Sequence, residues 1–450
     1  MGRSFLDAIQ ADGTLSDEIA AAIRHGGPGG DDGSGLPTGD TWDFGFATGI
    51  ECSYPRAAGE DGRLIRRDLL AECDHYARFA EDLGLVRDLG LRVLRYGLPY
   101  HLVSPAEGRY DWGFADAAMG EIHRLGITPI LDLLHFGVPD WVGDFQNPEL
   151  PLHFARYCGA VAERYPWVRF FTPVNEIYVA AKFSALTGDW NERLKDQRAF
   201  VTALKHLVAA YIAGCAAIVL RRPDALFITS ESAEFTHDLR PSPPPEAKLE
   251  NKLLFASLDL LYGKHPDADV ALYLLDGGLT RAELDWFMQG EPPGHQVTGN
   301  DYYARNERLR LPDGTVAPGH DVLGWYALTK AYYERYRKPV MLTETNVLDA
   351  DAAPMWLWKQ WADVLRMRRD GVPVVGFTWY SLIDQFDWDI NLRERRGTVN
   401  PCGLYDLDRR PRPVAAAYRE LVRTFGRITA LPHGEMFELT ARPAKLKFDG

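Results

Sequence analysis

The feature that most constrains the fold is an alternation between short apolar runs and longer segments of helical period, repeated eight times from residue 42 onward. The short runs are rich in β-branched and aromatic residues, which predicts strands. The segments between them carry apolar residues at i, i+3, i+4 and i+7, which predicts helices. The predicted strands are residues 44–48, 92–97, 128–134, 169–174, 226–230, 296–302, 339–343 and 374–381. The predicted helices are residues 69–89, 115–125, 154–164, 200–220, 322–336, 355–368 and 414–424.

Three of these strands follow a helix directly after a glycine, in the segments RDLGLRVLRYG, HRLGITPILDLLH and RRDGVPVVGFTWY. A glycine at this place supplies the left-handed turn that ends a helix. Strands that alternate with helices indicate the α/β class and a parallel sheet. Eight such units in one chain predict a (β/α)8 TIM barrel.

The barrel accounts for residues 41–427, and we expect the two ends of the chain to lie outside it. Residues 1–40 begin with a short amphipathic stretch and continue into GGPGGDDGSGLPTGD, so they predict an N-terminal extension and a flexible linker. Residues 428–450 predict a C-terminal tail. The longest connection, residues 231–295, predicts an elaborated loop above the barrel.

Composition excludes several classes of function. Lys plus Arg is 50 and Asp plus Glu is 63, for a formal charge of −13, and no basic stripe exists to bind nucleic acid or an anionic membrane. No apolar run is long enough to span a membrane. The five cysteines form no CxxC pair, which argues against a zinc ribbon or a disulfide framework. The first residues lack a signal-peptide pattern, so we expect a cytoplasmic enzyme.

Catalytic residues of a TIM barrel lie at the carboxyl ends of its strands. The strongest candidates are Glu176 after strand 4 and Glu344 at the end of strand 7, nearly opposite each other around the ring. Two carboxyl groups facing across a sugar-sized cleft are what cleavage of a glycosidic bond requires. The polar residues at the strand ends are Arg95, Tyr96, Asp132, His135, Asn175, Glu176, Ser230, Glu231, Asp301, Tyr302, Tyr303, Glu344, Trp379, Tyr380, Asp384 and Asp387.

The two carboxyl groups are expected to differ in protonation. Glu344 suits the nucleophile if Arg95 keeps it ionised, and Glu176 suits the acid because a second negative charge nearby raises its pKa. Asn175 is placed to hydrogen-bond a substrate hydroxyl. Aromatic side chains that could stack on sugar rings are Trp141, Trp379 and Trp388.

Four segments resemble family 1 of the glycoside hydrolases. TPVNEIY around Glu176 is similar to the family's acid/base motif TxNEP, and LTETN around Glu344 is similar to its nucleophile motif (I/V)TENG. LLHFGVPDWV resembles LHHWDLPQWL, and FTWYSLIDQFDW resembles FVWSLLDNFEW. The similarity extends from about residue 42 to residue 427 in the family's order and spacing, which marks a divergent branch.

The resemblance implies a retaining β-glycosidase that hydrolyses small-molecule β-glycosides without a metal or an organic cofactor. It implies that Glu176 is the acid/base and that Glu344 is the nucleophile. The residues that it assigns to substrate binding are His135 and Asn175 at the glycone, Arg95 and Tyr303 beside the nucleophile, and Asp387 where the family has a glycone-binding Glu. Trp379 and Trp388 are further candidates for sugar contacts.

The chain departs from the family at several glycone positions. The family's QIEG corresponds to ATGIECSYP, which offers Glu51 or Cys52 in place of Gln. The residue after the acid/base is Ile177 instead of Pro, and Asp301 replaces the Asn before the tyrosine pair. Tyr380 aligns with the strand 8 Trp. Catalysis therefore transfers from the family, whereas the identity of the sugar stays open.

Two alternatives keep the barrel. A 6-phospho-β-glycosidase would use the loop cations Arg393, Arg395 and Arg396 as a phosphate clamp, although solvated loop charge is the commoner reason for such a run. A catalytically silent sugar-binding barrel would not need both Glu176 and Glu344. A metal-dependent barrel hydrolase is disfavoured because residues 44–48 contain no histidine pair.

Overall fold

The computed structural model describes residues 4–11, 17, 41–42, 44–426 and 431–432, and it contains a closed parallel barrel. Each of the eight strands pairs in parallel with the next along the chain, and the last pairs with the first. The strands are β1 (Gly45–Ile50), β2 (Val93–Gly97), β3 (Thr128–Asp132), β4 (Phe170–Thr172), β5 (Leu226–Ile228), β6 (His295–Asp301), β7 (Val340–Glu344) and β8 (Val374–Trp379). The predicted fold and all eight predicted strands are confirmed.

Helices surround the barrel, and each predicted helix is present with bounds shifted by a few residues, the first being divided in two. The helices are Phe5–Ala11, Leu69–Glu72, His75–Asp88, Tyr100–Val103, Gly113–Arg124, Leu150–Arg164, Ile177–Ala181, Gln197–Val219, Pro245–Leu253, Ala256–Leu261, Ala268–Asp276, Arg281–Phe287, Gly324–Tyr336, Ala353–Arg369 and Pro413–Phe425. Gly90, Gly126 and Gly371 have φ values of +82°, +62° and +85°, so each takes the left-handed turn expected of it.

The short strands outside the barrel ring belong to its loops and to the two chain ends. They are Thr41–Trp42, Arg56–Ala58, Leu64–Arg66, Glu231–Ser232, Phe235–Asp238, Glu307–Arg310, Val316–Pro318, Gln385–Phe386, Val399–Asn400 and Leu431–Pro432. The connection predicted as an elaborated loop contains the strands Glu231–Ser232 and Phe235–Asp238 and four of the helices. It therefore adds a layer of structure after β5.

The barrel is filled by apolar side chains, as its fold requires. One buried cluster comes from the strands alone and comprises Ile130, Leu226, Ile228, Val297, Met341 and Val375. A larger cluster lies between the strands and the helices. Among the described residues, one helix, Gln197–Val219, is long and apolar enough to cross a membrane, but 94% of its most apolar window is buried in this outer layer. Its composition is that of a core helix.

The first described helix, Phe5–Ala11, packs on the barrel. Phe5 and Ile9 are buried, and Ser4 Oγ donates to Glu283 Oε1 at 2.7 Å. Residues 12–16 and 18–40, which contain the predicted linker, lie outside the described residues, as does most of the predicted tail after residue 426. The division at residues 40 and 427 stays a prediction.

Candidate active site

Glu176 lies just beyond β4, where the chain turns into the helix Ile177–Ala181. Its backbone is left-handed, with φ +40°, and its N–H donates to the Ser230 carbonyl at 2.6 Å. The carboxylate of Glu231, which follows β5, accepts from the N–H groups of Ile177 at 3.1 Å and Tyr178 at 3.4 Å. Burial raises the pKa of Glu231 to about 8. The turn that presents Glu176 is therefore fixed by the neighbouring strand.

Glu344 is the last residue of β7, and it is buried. Arg95 Nη1 donates to its Oε1, and the Tyr303 hydroxyl donates to its Oε2 at 2.6 Å. Arg95 also donates to Asn175 Oδ1 at 2.5 Å and lies 3.0 Å from Asp132 Oδ2. One guanidinium from β2 thus connects Glu344 with Asn175 and Asp132.

The two glutamates stand in different electrostatic surroundings. Burial, followed by the charges of Asp301 and Glu344, raises the pKa of Glu176 well above its ordinary value. Burial also raises the pKa of Glu344, but Arg95 and His135 oppose that rise. Two carboxyl groups whose pKa values are pushed apart in this way are suited to separate acid and base roles.

A single cavity of about 210 Å³ is lined by both glutamates. This volume lies below the 300–1,000 Å³ usual for drug-sized ligands, so it suits a small molecule. Aromatic residues form much of its wall, as expected where apolar faces of sugar rings pack. These aromatic lining residues are Phe136, Phe183, Trp190, Tyr303 and Trp388. Of the residues predicted for the site, Glu176, Glu344, Tyr303 and Trp388 reach this cavity.

His135 and Glu51 are brought close to Glu344 in a buried charge network. His135 Nδ1 lies 2.6 Å from Asp132 Oδ2, and its Nε2 lies 2.9 Å from Glu51 Oε2 and 3.0 Å from Asn175 Nδ2. Burial opposes the charged ring, but Glu51 and Asp132 outweigh it and hold the pKa of His135 well above its ordinary value. These two carboxylates therefore favour the protonated ring, which lies between the ends of β1 and β3.

Asp387 is fully buried, and its carboxylate is already satisfied. It accepts from Arg67 Nη2 at 3.1 Å and from the N–H groups of Arg396, Gly397 and Thr398 at 3.0, 3.1 and 2.8 Å. These bonds hold the loop after β8 in place. Asp387 does not line the cavity, and its expected glycone contact stays a prediction.

Two predicted stacking residues lie elsewhere. Trp379 is completely buried, and its Nε1 donates to the Cys402 carbonyl at 3.1 Å. It packs in the barrel wall outside the cavity lining, and its expected contact with the sugar stays a prediction. Trp141 donates to the Ser104 carbonyl at 2.7 Å and packs edge-on against His153, outside the cavity lining.

Sequence reasoning missed part of the cavity wall. Arg305 and Arg308 line it from the segment after β6, and Glu234 lines it from the segment after β5. Arg305 and Arg308 follow Tyr303 by two and five positions, and Glu234 follows Glu231 by three. A search extended into the loops after β5 and β6 would have found them.

Three buried groups stand close enough together to be considered as metal ligands. Ligand atoms of Glu51, His135 and Glu344 all lie within 4.8 Å of one another. Glu51 and Asp132 favour the protonated form of His135, which has no lone pair for a metal, and Arg95 donates to Glu344 Oε1. The residues therefore fit a charge network better than a metal site, and the expected absence of a metal stays a prediction.

Comparisons with known proteins point to a glycoside hydrolase. The model of glycosyl hydrolase family 1 matches residues 54–224. The chain is 22% identical over 422 residues to the aryl-phospho-beta-D-glucosidase BglC of Bacillus subtilis, which covers 78% of this chain and 87% of that protein. It is 24% identical over 375 residues to a beta-glucosidase of Agrobacterium sp., which covers 73% of this chain and 80% of that protein.

A solved structure supports the fold. The beta-glucosidase from Thermotoga maritima in complex with azafagomine superposes with a TM-score of 0.70 at 19% identity, over 87% of this chain and 99% of that one. The barrel, the carboxyl pair and the relatives together define a glycoside hydrolase. The matched family model, the curated relatives and the barrel together support a divergent member of glycosyl hydrolase family 1.

Proposed function

We propose that this protein is a retaining β-glycosidase that hydrolyses small β-glycosides by double displacement, with Glu344 as nucleophile and Glu176 as acid/base. The observation that carries the proposal is that one cavity is lined by two carboxyl groups in unlike surroundings. Glu344 is bonded to Arg95 and Tyr303, whereas the pKa of Glu176 is raised well above its ordinary value. This pairing supports an ionised nucleophile and a protonated acid.

In the first step, a carboxylate oxygen of Glu344 attacks the anomeric carbon, and the bond from that carbon to the aglycone oxygen breaks. Glu176 gives its proton to the departing oxygen, so the aglycone leaves as a neutral alcohol. The product is a glycosyl ester of Glu344. Its formation leaves Glu176 ionised, and removal of the Glu344 charge then lowers the pKa of Glu176.

In the second step, the ionised Glu176 takes a proton from a water molecule whose oxygen attacks the anomeric carbon. The ester bond breaks, Glu344 returns as a carboxylate, and Glu176 is again protonated. Two inversions at one carbon retain its configuration. Such a mechanism requires the two carboxyl groups to lie about 5–5.5 Å apart.

A buried network of polar side chains positions Glu344 for this chemistry. Arg95 holds Glu344 and Asn175 together, and we assign Asn175 to a hydroxyl of the sugar. His135 and Glu51 brace this pair, since His135 contacts both Glu51 and the Asn175 amide. Trp388 would pack on a face of the sugar at the cavity wall.

A second candidate, a 6-phospho-β-glycosidase, is favoured by the Bacillus subtilis relative, whose name is that of an aryl-phospho-beta-D-glucosidase. Arg393, Arg395 and Arg396 are exposed, and Arg396 pairs with Glu394. The cavity lining contains none of these three arginines. These arginines would therefore bind a substrate phosphate only if the loop that carries them lay closer to the cavity.

The test is hydrolysis of a panel of p-nitrophenyl β- and α-glycosides by the wild type and by Glu344→Ala. We expect one or more β-glycosides to release nitrophenol, and the variant to lose about 10⁴-fold or more of that kcat, as expected when a nucleophile is removed. Glu163→Ala removes an exposed carboxylate outside the cavity and is the matched control.

Hydrolysis confined to α-glycosides would contradict the proposal. So would a Glu344→Ala variant that keeps the rate of the control. Cleavage of 6-phosphoglycosides alone, abolished by Arg393→Ala, would establish the second candidate.

A further inference from the structure

Arg305 is a cation in the cavity wall that no step of the proposed reaction uses. Its guanidinium lies 4.7 Å from the centre of the Trp388 ring and 5.6 Å from that of Tyr303. Its Nη1 donates to the Trp388 carbonyl at 2.5 Å. Because Tyr303 in turn donates to Glu344, the Arg305 charge stands one aromatic ring away from the nucleophile.

Arg305 forms no ion pair with a described carboxylate, and Glu176 and Glu234 act on its charge only from a distance. Within residues 44–426, which the structure describes, the Nη1 bond to Trp388 is its one hydrogen bond, and no carboxylate lies within ion-pair distance. Burial lowers its pKa. Arg305 is half-buried, and a cation that is partly removed from water is normally paired with an anion.

The neighbouring cations show the usual arrangement. Arg308 donates to Glu234, and Lys182 Nζ lies 3.3 Å from the same carboxylate. Burial would raise the pKa of Glu234, but these two cations outweigh it and bring it to about 2. Glu234 is therefore an anion already shared by two cations, and it acts on Arg305 without forming an ion pair with it.

We propose that Arg305 binds a carboxylate carried by the glycoside substrate. With Nη1 engaged by the Trp388 carbonyl, the Nε and Nη2 groups remain as a planar pair of donors, and that pair matches a carboxylate in bidentate geometry. The inference rests on the proposed glycosidase function, because it names the class of substrate for the same cavity.

The local charges favour a carboxylate over a phosphate. One positive charge that forms no ion pair matches a monoanion. A phosphate monoester carries nearly two negative charges at neutral pH, and Glu344 and Asp389 line the same cavity. The carboxylate could belong to the sugar, as in a glycuronide, or to the aglycone, as in a carboxyphenyl glycoside, and the experiment separates the two.

The test compares matched substrates on the wild type, Arg305→Met and Arg305→Lys. The glycone arm uses p-nitrophenyl β-glucuronide against p-nitrophenyl β-glucoside, and the aglycone arm uses 4-carboxyphenyl against phenyl β-glucoside. We expect one arm to show a preference for the carboxylated substrate in kcat/KM. Arg305→Met should lower that ratio about 10- to 100-fold, the range for a hydrogen bond to a charged group.

Arg305→Lys should recover part of the ratio, because it keeps the charge but not the planar donors. Arg63→Met is the control, since Arg63 is exposed and does not line the cavity. It should leave the ratio unchanged. Equal ratios in the wild type and Arg305→Met in both arms would overturn the inference while leaving hydrolysis of neutral glycosides intact.

Calorimetry separates the inference from the proposed function. We expect either D-glucuronate to bind the wild type more tightly than D-glucose, or 4-hydroxybenzoate more tightly than phenol, with the difference lost in Arg305→Met. That result in a protein that hydrolyses no glycoside would support the carboxylate site and contradict the glycosidase. Tighter binding of glucose 6-phosphate than of either carboxylate, lost in Arg305→Met, would overturn the carboxylate assignment.

Discussion

Replacing Tyr303 by Phe removes the hydroxyl that donates to Glu344 and leaves the rest of the cavity wall unchanged. That hydroxyl donates to Glu344 Oε2 at 2.6 Å inside a buried site. A hydrogen bond to a charged group is worth about 1.5–3 kcal/mol, and one pKa unit corresponds to about 1.36 kcal/mol. Loss of the bond should therefore raise the pKa of Glu344 by about 1–2 units.

The direction in which the pH profile shifts follows because Glu344 must be ionised to act as the nucleophile. Tyr303 stabilises the carboxylate form of Glu344, so its removal favours the protonated form, and activity disappears at a higher pH as the solution is acidified. The acidic limb of the kcat/KM profile should move upward by about 1–2 pH units. The assay is the pH dependence of kcat/KM on the best p-nitrophenyl β-glycoside, which reports the free enzyme.

The neighbouring tyrosine provides a control. The Tyr302 hydroxyl lies 2.8 Å from both Glu307 Oε1 and Asp321 Oδ1, either of which accepts its one proton, and Tyr302 does not line the cavity. Tyr302→Phe removes the same atom at the next position and should leave the acidic limb in place. The reasoning is refuted if Tyr303→Phe gives the wild-type profile, or if Tyr302→Phe shifts the limb equally.

Two further predictions concern residues that position the site. Glu231→Ala leaves the Ile177 and Tyr178 N–H groups without their acceptor, so kcat should fall about 10-fold with little change in KM. Glu231→Gln should recover most of the lost kcat, and equal losses in both variants would contradict this role. Arg67→Met leaves the buried Asp387 without its cation, so the free energy of unfolding by denaturant should fall by about 3 kcal/mol. Arg63→Met, at an exposed arginine, should change that free energy little. Equal effects of the two substitutions would show that the Arg67–Asp387 pair does not stabilise the fold.

The barrel could be predicted from the sequence because its signals are local. A glycine such as Gly90 or Gly126, followed by a β-branched apolar run, reports a helix end and a strand without knowledge of the rest of the chain. Glu176 and Glu344 were found for the same reason. Each follows an apolar run, and the fold then brings the strand ends together.

The roles of other residues depend on contacts that are distant in the chain. Asp387 was predicted to face the sugar, and its carboxylate accepts from Arg67, 320 residues away, and from three N–H groups of its own loop. Trp379 ends a strand as a site residue would, but the side to which it points is set by packing. Arg305 was missed because its importance lies in a partner that it lacks.

The measurement that tests the central claim most directly is the anomeric configuration of the sugar first released by the wild type. A proton NMR spectrum recorded in the first minutes of hydrolysis of the best β-glycoside, before mutarotation, should show the β-anomer, as double displacement through Glu344 requires. First release of the α-anomer would mean single displacement by water, and it would contradict the assignment of Glu344 as a nucleophile.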